Sequence, residues 1–259
     1  MSTLAVIPAR LSATRLPRKP LRLLAGRPLI VRVWERVTAL GVADRVVVAT
    51  DSTDVVSVCR EAGAEVVLTR ASHPSGTDRT AEVASLPGFH AFDTIVNVQG
   101  DEPFVSEEAV RGALGLVTSA RFPLGTAAAP ANADVLARPD VVKVVADDTG
   151  RAMYFSRAPI PYLRDRSDPA QLAGAVRQHI GVYAYSRAAL LAWVALPPHA
   201  LELIEKLEQL RPLAAGWAMG VADTTGEPLG GVDTEDDLAR ANATWDSLTA
   251  ATTSTTGRR

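Results

Sequence analysis

The sequence predicts an α/β fold: a mixed, mostly parallel sheet with helices on both faces, and a smaller, partly antiparallel second half. Three observations carry this. Over roughly the first 120 residues, short β-branched runs alternate with segments of helical period, the rhythm of strand–helix–strand units. Beyond that point strand-like runs follow one another, separated by proline-containing loops. A chain of 259 residues, 47% hydrophobic and 22% charged, also has the size and composition of one large globular domain with a substantial core.

Residues 4–8 read as a buried strand. Residues 28–40 place Leu29, Ile30, Val33, Val37 and Leu40 on one helical face, with Pro28 to start the helix and Gly41 to end it. Residues 45–50 are the next strand, and 52–62 a helix capped near Asp51 or Ser52 and stopped by Gly63. A strand at 65–69, a short helix at 77–85, a strand at 94–98 and a helix at 106–117 opened by Ser106 follow. In the second half, 124–129, 141–146 and 180–185 are strands, 158–161 is extended or turn-like, and 165–177 is a polar surface loop. Helices are expected at 200–210 and 235–245. Residues 1–248 read as a single domain, with halves at about 1–120 and 121–248, and 249–259 as a disordered tail of small polar residues.

Several function classes are disfavoured. A formal net charge of −2 with interspersed signs argues against a nucleic-acid partner. No apolar run approaches the roughly 18–20 residues that span a bilayer, and the N-terminus lacks a secretory pattern. A single cysteine, Cys59, excludes an internal disulfide and a cysteine zinc cage. A cytoplasmic location is expected. Of the 27 basic residues, only Lys19, Lys143 and Lys206 are lysines; the other 24 are arginines, as a GC-rich genome favours.

Chemistry concentrates in a few loops. The first strand runs into a segment carrying Arg10, Arg15, Arg18 and Lys19. A loop there opens at the carboxyl edge of a parallel sheet, where ligands bind, and its cations suit a polyphosphate; a solvated basic loop is the plain alternative. It is neither a P-loop nor a dinucleotide-binding glycine fingerprint, which leaves a dehydrogenase poorly supported. Asn97-Val98-Gln99-Gly100-Asp101-Glu102-Pro103 ends a strand at the same edge, with hard carboxylate oxygens for a divalent cation or merely exposed acids. Asp233, behind Gly230 and Gly231, reads either as a helix N-cap or as a second metal ligand. Ser75 and Gly76 open a helix whose N–H groups suit a base edge or a phosphate, or cap it and no more. His179, Gly181, Tyr183 and Tyr185 alternate onto one strand face, fit for a sugar pocket or for an interface. Glu208, Gln209 and Arg211, at a helix end, have the position of surface residues.

Taken in order, these segments resemble the 3-deoxy-manno-octulosonate cytidylyltransferase family, also called CMP-Kdo synthetases. The likeness runs from Ile7-Pro8-Ala9-Arg10 to Gly231-Val232-Asp233-Thr234. Between them lie Ala13 to Leu21, Ala49-Thr50-Asp51, Ser75 to Arg79, Asn97 to Pro103, Lys143-Val144-Val145, Tyr154 to Ala158, His179 with Gly181 and Tyr183, and Leu207 to Arg211. The resemblance implies a Rossmann-like nucleotide-diphosphosugar-transferase fold, commonly a homodimer formed through the second half. It implies the reaction CTP + Kdo → CMP-Kdo + pyrophosphate, with Mg²⁺ as cofactor. By the family pattern Arg10 and Lys19 neutralise the CTP phosphates, and Asp101 and Asp233 hold the metal; these four are the catalytic set. Pro8, Ala9, Arg15, Ser75, Gly76, Arg79 and Gln99 complete the nucleotide site. Gln99, Arg157, His179, Tyr183, Glu208 and Gln209 correspond to the pocket for the small anionic acceptor. Two features depart from the pattern: Arg18 stands where the family often has glycine, and Pro198-His199-Ala200-Leu201-Glu202 replaces a Ser/Thr-Pro-Leu-Glu approach. The same chemistry on a phosphonate such as phosphonoformate, or on another 2-keto sugar acid, is the neighbouring reading. A catalytically dead nucleotide-binding regulator is the reading from another class.

Overall fold

A computed structural model describes residues 2–12, 15–164, 174–226 and 228–256. The strands are β1 (Thr3–Ala9), β2 (Leu23–Leu24), β3 (Arg27–Pro28), β4 (Arg45–Thr50), β5 (Glu65–Leu68), β6 (Thr94–Val98), β7 (Leu124–Pro130), β8 (Lys143–Ala146), β9 (Ala152–Ser156), β10 (Arg177–Ser186) and β11 (Met219–Asp223). The helices are α1 (Leu29–Ala39), α2 (Thr53–Glu61), α3 (Gly76–Ala84), α4 (Glu107–Thr118), α5 (Arg187–Ala195), α6 (Ala200–Glu205), α7 (Leu210–Ala214) and α8 (Glu235–Thr256).

The main sheet runs β11-β7-β10-β6-β1-β4-β5, with β8 and β9 attached beside β10. The strands β6, β1, β4 and β5 are parallel neighbours. β10 enters antiparallel between β6 and β7, so the two halves share one sheet. The mixed, mostly parallel architecture expected from the sequence is therefore present. In β1 the period of two is visible: Leu4 and Val6 join one core cluster, Ala5 and Ile7 the other, on opposite sheet faces. Ser106 caps its helix as expected, Ser52 rather than Asp51 caps α2, and Ser75 caps α3. Ser52, Ser75 and Ser106 side chains accept from Val55, Asp78 and Ala109 backbone N–H groups.

Four expectations change. The helix read at 200–210 is two helices, because Lys206 takes a left-handed conformation (φ 55°) and breaks it. α5, β9 and β11 were not foreseen. The last helix continues to Thr256, past the start of the tail read as disordered, since no Gly or Pro precedes Gly257 to stop it. Most of the surface loop read at 165–177 lies outside the described residues, and Arg177 already belongs to β10. No helix among the described residues is long and apolar enough to cross a membrane.

Candidate active site

Close backbone approach builds the site at the carboxyl edge of β1 and β6. A Cβ on Gly100 would lie 2.7 Å from the Pro8 carbonyl oxygen, so only glycine lets the loop after β6 lie against β1. A Cβ on Gly231 would come within 3.0 Å of Glu102 Oε1. The Val232 N–H donates to the Asp101 carbonyl at 2.9 Å, which brings Asp233 beside Asp101.

Between these carboxylates sits Lys19. Its ammonium donates to Asp101 Oδ2 and, at 2.9 Å, to Asp233 Oδ1; Arg15 reaches Asp233 Oδ2 at 2.8 Å. Burial pulls the Lys19 pKa down, but the two carboxylates outweigh it and leave the pKa above its ordinary value. Burial likewise pushes Asp233 up, while Lys19 and Arg15 hold it below the usual carboxylate range. The neighbouring Glu102 faces the same two carboxylates with no ion-pair partner among the described residues; burial, then Asp101 and Asp233, push its pKa up to about 8 against the pull of Lys19.

The Asp233 side chain is not the N-cap of α8. The cap of α8 is made by its neighbours: Thr234 Oγ1 accepts from the Asp237 N–H at 3.1 Å, and Asp237 Oδ2 accepts from the N–H groups of Asp233 and Thr234. The Asp233 carboxylate is thereby free of capping and points at the cations.

Two cavities meet here. One, of about 610 Å³, is lined by all ten residues expected to hold a nucleotide: Pro8, Ala9, Arg10, Arg15, Lys19, Ser75, Gly76, Arg79, Gln99 and Asp101. Its floor is braced by Arg79, which is 3% exposed and donates to Asp51 at 3.0 Å and to Thr69. The second, of about 1020 Å³, is lined by the six expected acceptor residues, Gln99, Arg157, His179, Tyr183, Glu208 and Gln209. Arg157 is held by the Glu205 and Pro139 carbonyl oxygens, at 2.9 and 3.0 Å. His179 is wedged between Phe155 and Tyr183, with ring centroids at 5.0 and 5.4 Å, and pairs with Thr126 Oγ1 at 2.9 Å. Burial drives its pKa down to about 3, so the imidazole is neutral. Tyr183 donates to Gln209 Oε1 at 3.1 Å, whereas Gln209 Nε2 and Glu208 Oε2 are buried without a partner among the described residues.

The chain is similar in sequence and in fold to known proteins. Residues 4–220 match the family model described as cytidylyltransferase. A protein of Gemmatimonas aurantiaca described as 3-deoxy-manno-octulosonate cytidylyltransferase is 64% identical over 254 residues, 98% of each chain. The chain belongs to the 3-deoxy-manno-octulosonate cytidylyltransferase family. A protein of the same description from Yersinia pseudotuberculosis is 47% identical over 246 residues, 94% of this chain and 98% of its own. Among solved structures, a CMP:2-keto-3-deoxy-manno-octonic acid synthetase complexed with CTP superposes with a TM-score of 0.87 at 35% identity, covering 96% of this chain and all of its own. A 4-diphosphocytidyl-2C-methyl-D-erythritol synthase from Anaerococcus prevotii, at 15% identity and a TM-score of 0.61, shares the fold, over 95% of this chain and 98% of its own.

Membership makes the chain a nucleotidyltransferase, and its cytidylyltransferase cavities hold residues that motif reading undervalued or passed over. Arg211, read as a helix-end surface charge, is 6% exposed and makes a bidentate pair with Glu202 at 2.6 and 2.8 Å beside the first cavity. Tyr185, expected on a pocket-lining face, is fully buried and meets Thr77 Oγ1 at 3.2 Å behind Tyr183. Lys206 lines both cavities. The turn at Lys206, unmarked by any glycine, is what a sequence pattern could not reveal.

Proposed function

We propose that the protein transfers the cytidylyl group of CTP to 3-deoxy-manno-octulosonate, giving CMP-Kdo and pyrophosphate, as a Mg²⁺-dependent, cytoplasmic homodimer. The observation that carries this is Lys19 gripped by Asp101 and Asp233 where the two cavities meet. A cation cradled by two carboxylates at the mouth of an arginine-bearing loop is the apparatus for a reaction between two anions.

In this reading CTP occupies the smaller cavity. Its phosphates meet Arg10, Arg15 and Lys19, which lower the repulsion toward an incoming acid and stabilise the departing pyrophosphate. Ser75 and Gly76 open α3 beneath the nucleoside, and a Cβ on Gly76 would crowd Pro8 Cγ at 3.2 Å. The acceptor hydroxyl oxygen attacks the α-phosphorus in line with the leaving group, and its proton departs to solvent.

The donor set fits Mg²⁺. Asp101 and Asp233 converge on one cation position, and Mg²⁺ characteristically takes one or two carboxylates and fills its shell with phosphate and water oxygens. When bound, the ion supplies charge neutralisation at the phosphates. Lys19, released from the carboxylates, is then available to those phosphates.

A hydroxylated acceptor is supported by the second cavity. Among the described residues Glu208 Oε2 lacks a donor and Gln209 Nε2 lacks an acceptor. A polyhydroxy acid offers both; a phosphonate lacking hydroxyls would set its charge against Glu208. For the dimer, the support is apolar exposure on the second half: Met153 at 65% and Ile204 at 76%. The deciding experiment is pyrophosphate release from CTP with Kdo, phosphonoformate and other 2-keto sugar acids, with and without Mg²⁺. The reading requires a strong preference for Kdo. Preference for phosphonoformate, or CTP binding without turnover on any acid, would reject it.

A further inference from the structure

The reacting phosphoryl group must lie where the two cavities meet, because the new bond joins the occupant of one to the occupant of the other. The wall common to both includes Arg15, Gln99, Asp101, Asp233 and Lys206. A cation on that wall borders both cavities.

Most cations around the cleft are already engaged. Lys19 and Arg15 are bound to carboxylates, as are Arg79, Arg138, Arg211 and Arg240. Arg157 is held by two carbonyls. Of the described arginines and lysines lining the cavities, only Arg10 and Lys206 have a side chain with no hydrogen bond or ion pair. Arg10 lies in the nucleotide cavity alone, so Lys206 is the single uncommitted cation on the shared wall.

The backbone puts it there. Lys206 ends α6 with φ 55° and ψ 46°, and its N–H closes the turn onto the Glu202 carbonyl. That left-handed residue reverses the chain, sending Leu207 into the core at 5% exposure and Glu208 into the cleft. A position that glycine would occupy without strain is held by a lysine.

We propose that Lys206 is a catalytic residue that contacts the non-bridging oxygens of the α-phosphoryl group during transfer. This rests on the cytidylyl-transfer reading above. The acceptor oxygen–phosphorus bond forms and the bond to pyrophosphate breaks; Lys206 keeps its proton throughout and acts by charge alone. Being unpaired, it can reach the developing charge without first breaking a salt bridge.

The test compares Lys206→Met, Lys206→Gly and Lys206→Arg with the unaltered protein in steady-state pyrophosphate release, alongside calorimetric CTP binding and thermal denaturation. Met and Gly are expected to lower kcat at least about tenfold, with KM values and CTP affinity within about threefold, while Arg restores most of the rate. Lys206→Gly is the discriminating variant, since it keeps the turn and deletes the charge. Wild-type kcat in Lys206→Gly would reduce Lys206 to a turn residue and overturn the proposal, as would a loss confined to either KM. If the unaltered protein is silent on every acid, the transfer reading fails and this proposal falls with it. If the unaltered protein is active and the variants match it, only the role of Lys206 is refuted.

Discussion

Lys19 binds Asp101 and Asp233 with one ammonium group, joining a loop after the first strand to a residue 214 positions away. The contact ties the loop after β1 to the loops carrying Asp101 and Asp233. It also keeps two carboxylates side by side that would otherwise repel. Breaking it on purpose tests the chemistry from several sides.

Lys19→Arg should not be silent. A compact ammonium fits between two carboxylates, while the planar guanidinium fork needs a wider, flatter partner. We expect turnover to fall by about tenfold or more with the fold intact, measured as pyrophosphate release and by circular dichroism.

Asp101→Ala and Asp233→Ala should each lower turnover by about 10²–10³, the scale of losing one preorganised electrostatic group. Each should also raise the Mg²⁺ concentration needed for half-maximal rate. Near-normal turnover at low Mg²⁺ in either variant would remove that carboxylate from the metal site.

Gly100→Ala drives a methyl group to 2.7 Å from the Pro8 carbonyl, which backbone cannot relieve by a rotamer change. A destabilisation of about 1–3 kcal/mol is expected. Chemical denaturation gives the stability, and CTP binding by calorimetry shows whether Asp101 has moved with it.

His179 predicts an acid-side loss of stability. Its pKa falls from an ordinary 6.5 to about 3 in the folded protein, so between these values the unfolded chain holds a proton that the folded chain refuses. Stability from this group is complete above about pH 6.5 and drains away as pH drops toward 3, by at most about 1.4 kcal/mol per pH unit. His179→Asn should flatten the denaturation midpoint between pH 7 and 4.5. An unchanged pH slope would show that the histidine titrates normally.

The first half of the fold was legible because its signals are local. β-branched runs, helical periods and serine caps gave β1, α1, β4, α2, β6 and α4 nearly to the residue. The second half hides its elements. α5 reads Arg-Ala-Ala-Leu-Leu-Ala-Trp-Val-Ala, with little amphipathic contrast, and β11 is Met-Gly-Val-Ala-Asp, with a single β-branched residue. The candidate site residues were named through family likeness more than through physics, and the cavities they line became visible only in three dimensions. The Glu202–Arg211 pair shows why: its nine-residue separation fits no helix face, and it forms only because the chain turns at Lys206.

The scarcity of lysine has a practical side. Lys143 is fully enclosed by the Arg138, Val141 and Arg157 carbonyls, and Lys19 is locked between its carboxylates. Apart from the α-amino group, the one open amine is Lys206, on the cleft wall. Amine-reactive dyes, crosslinkers and sensor-chip chemistry will therefore seek out the substrate entrance. Immobilising the protein through that side chain would seal the cleft against the chip, whereas acylation of Lys206, read by peptide mapping apart from the α-amino group, would report occupancy of the cleft.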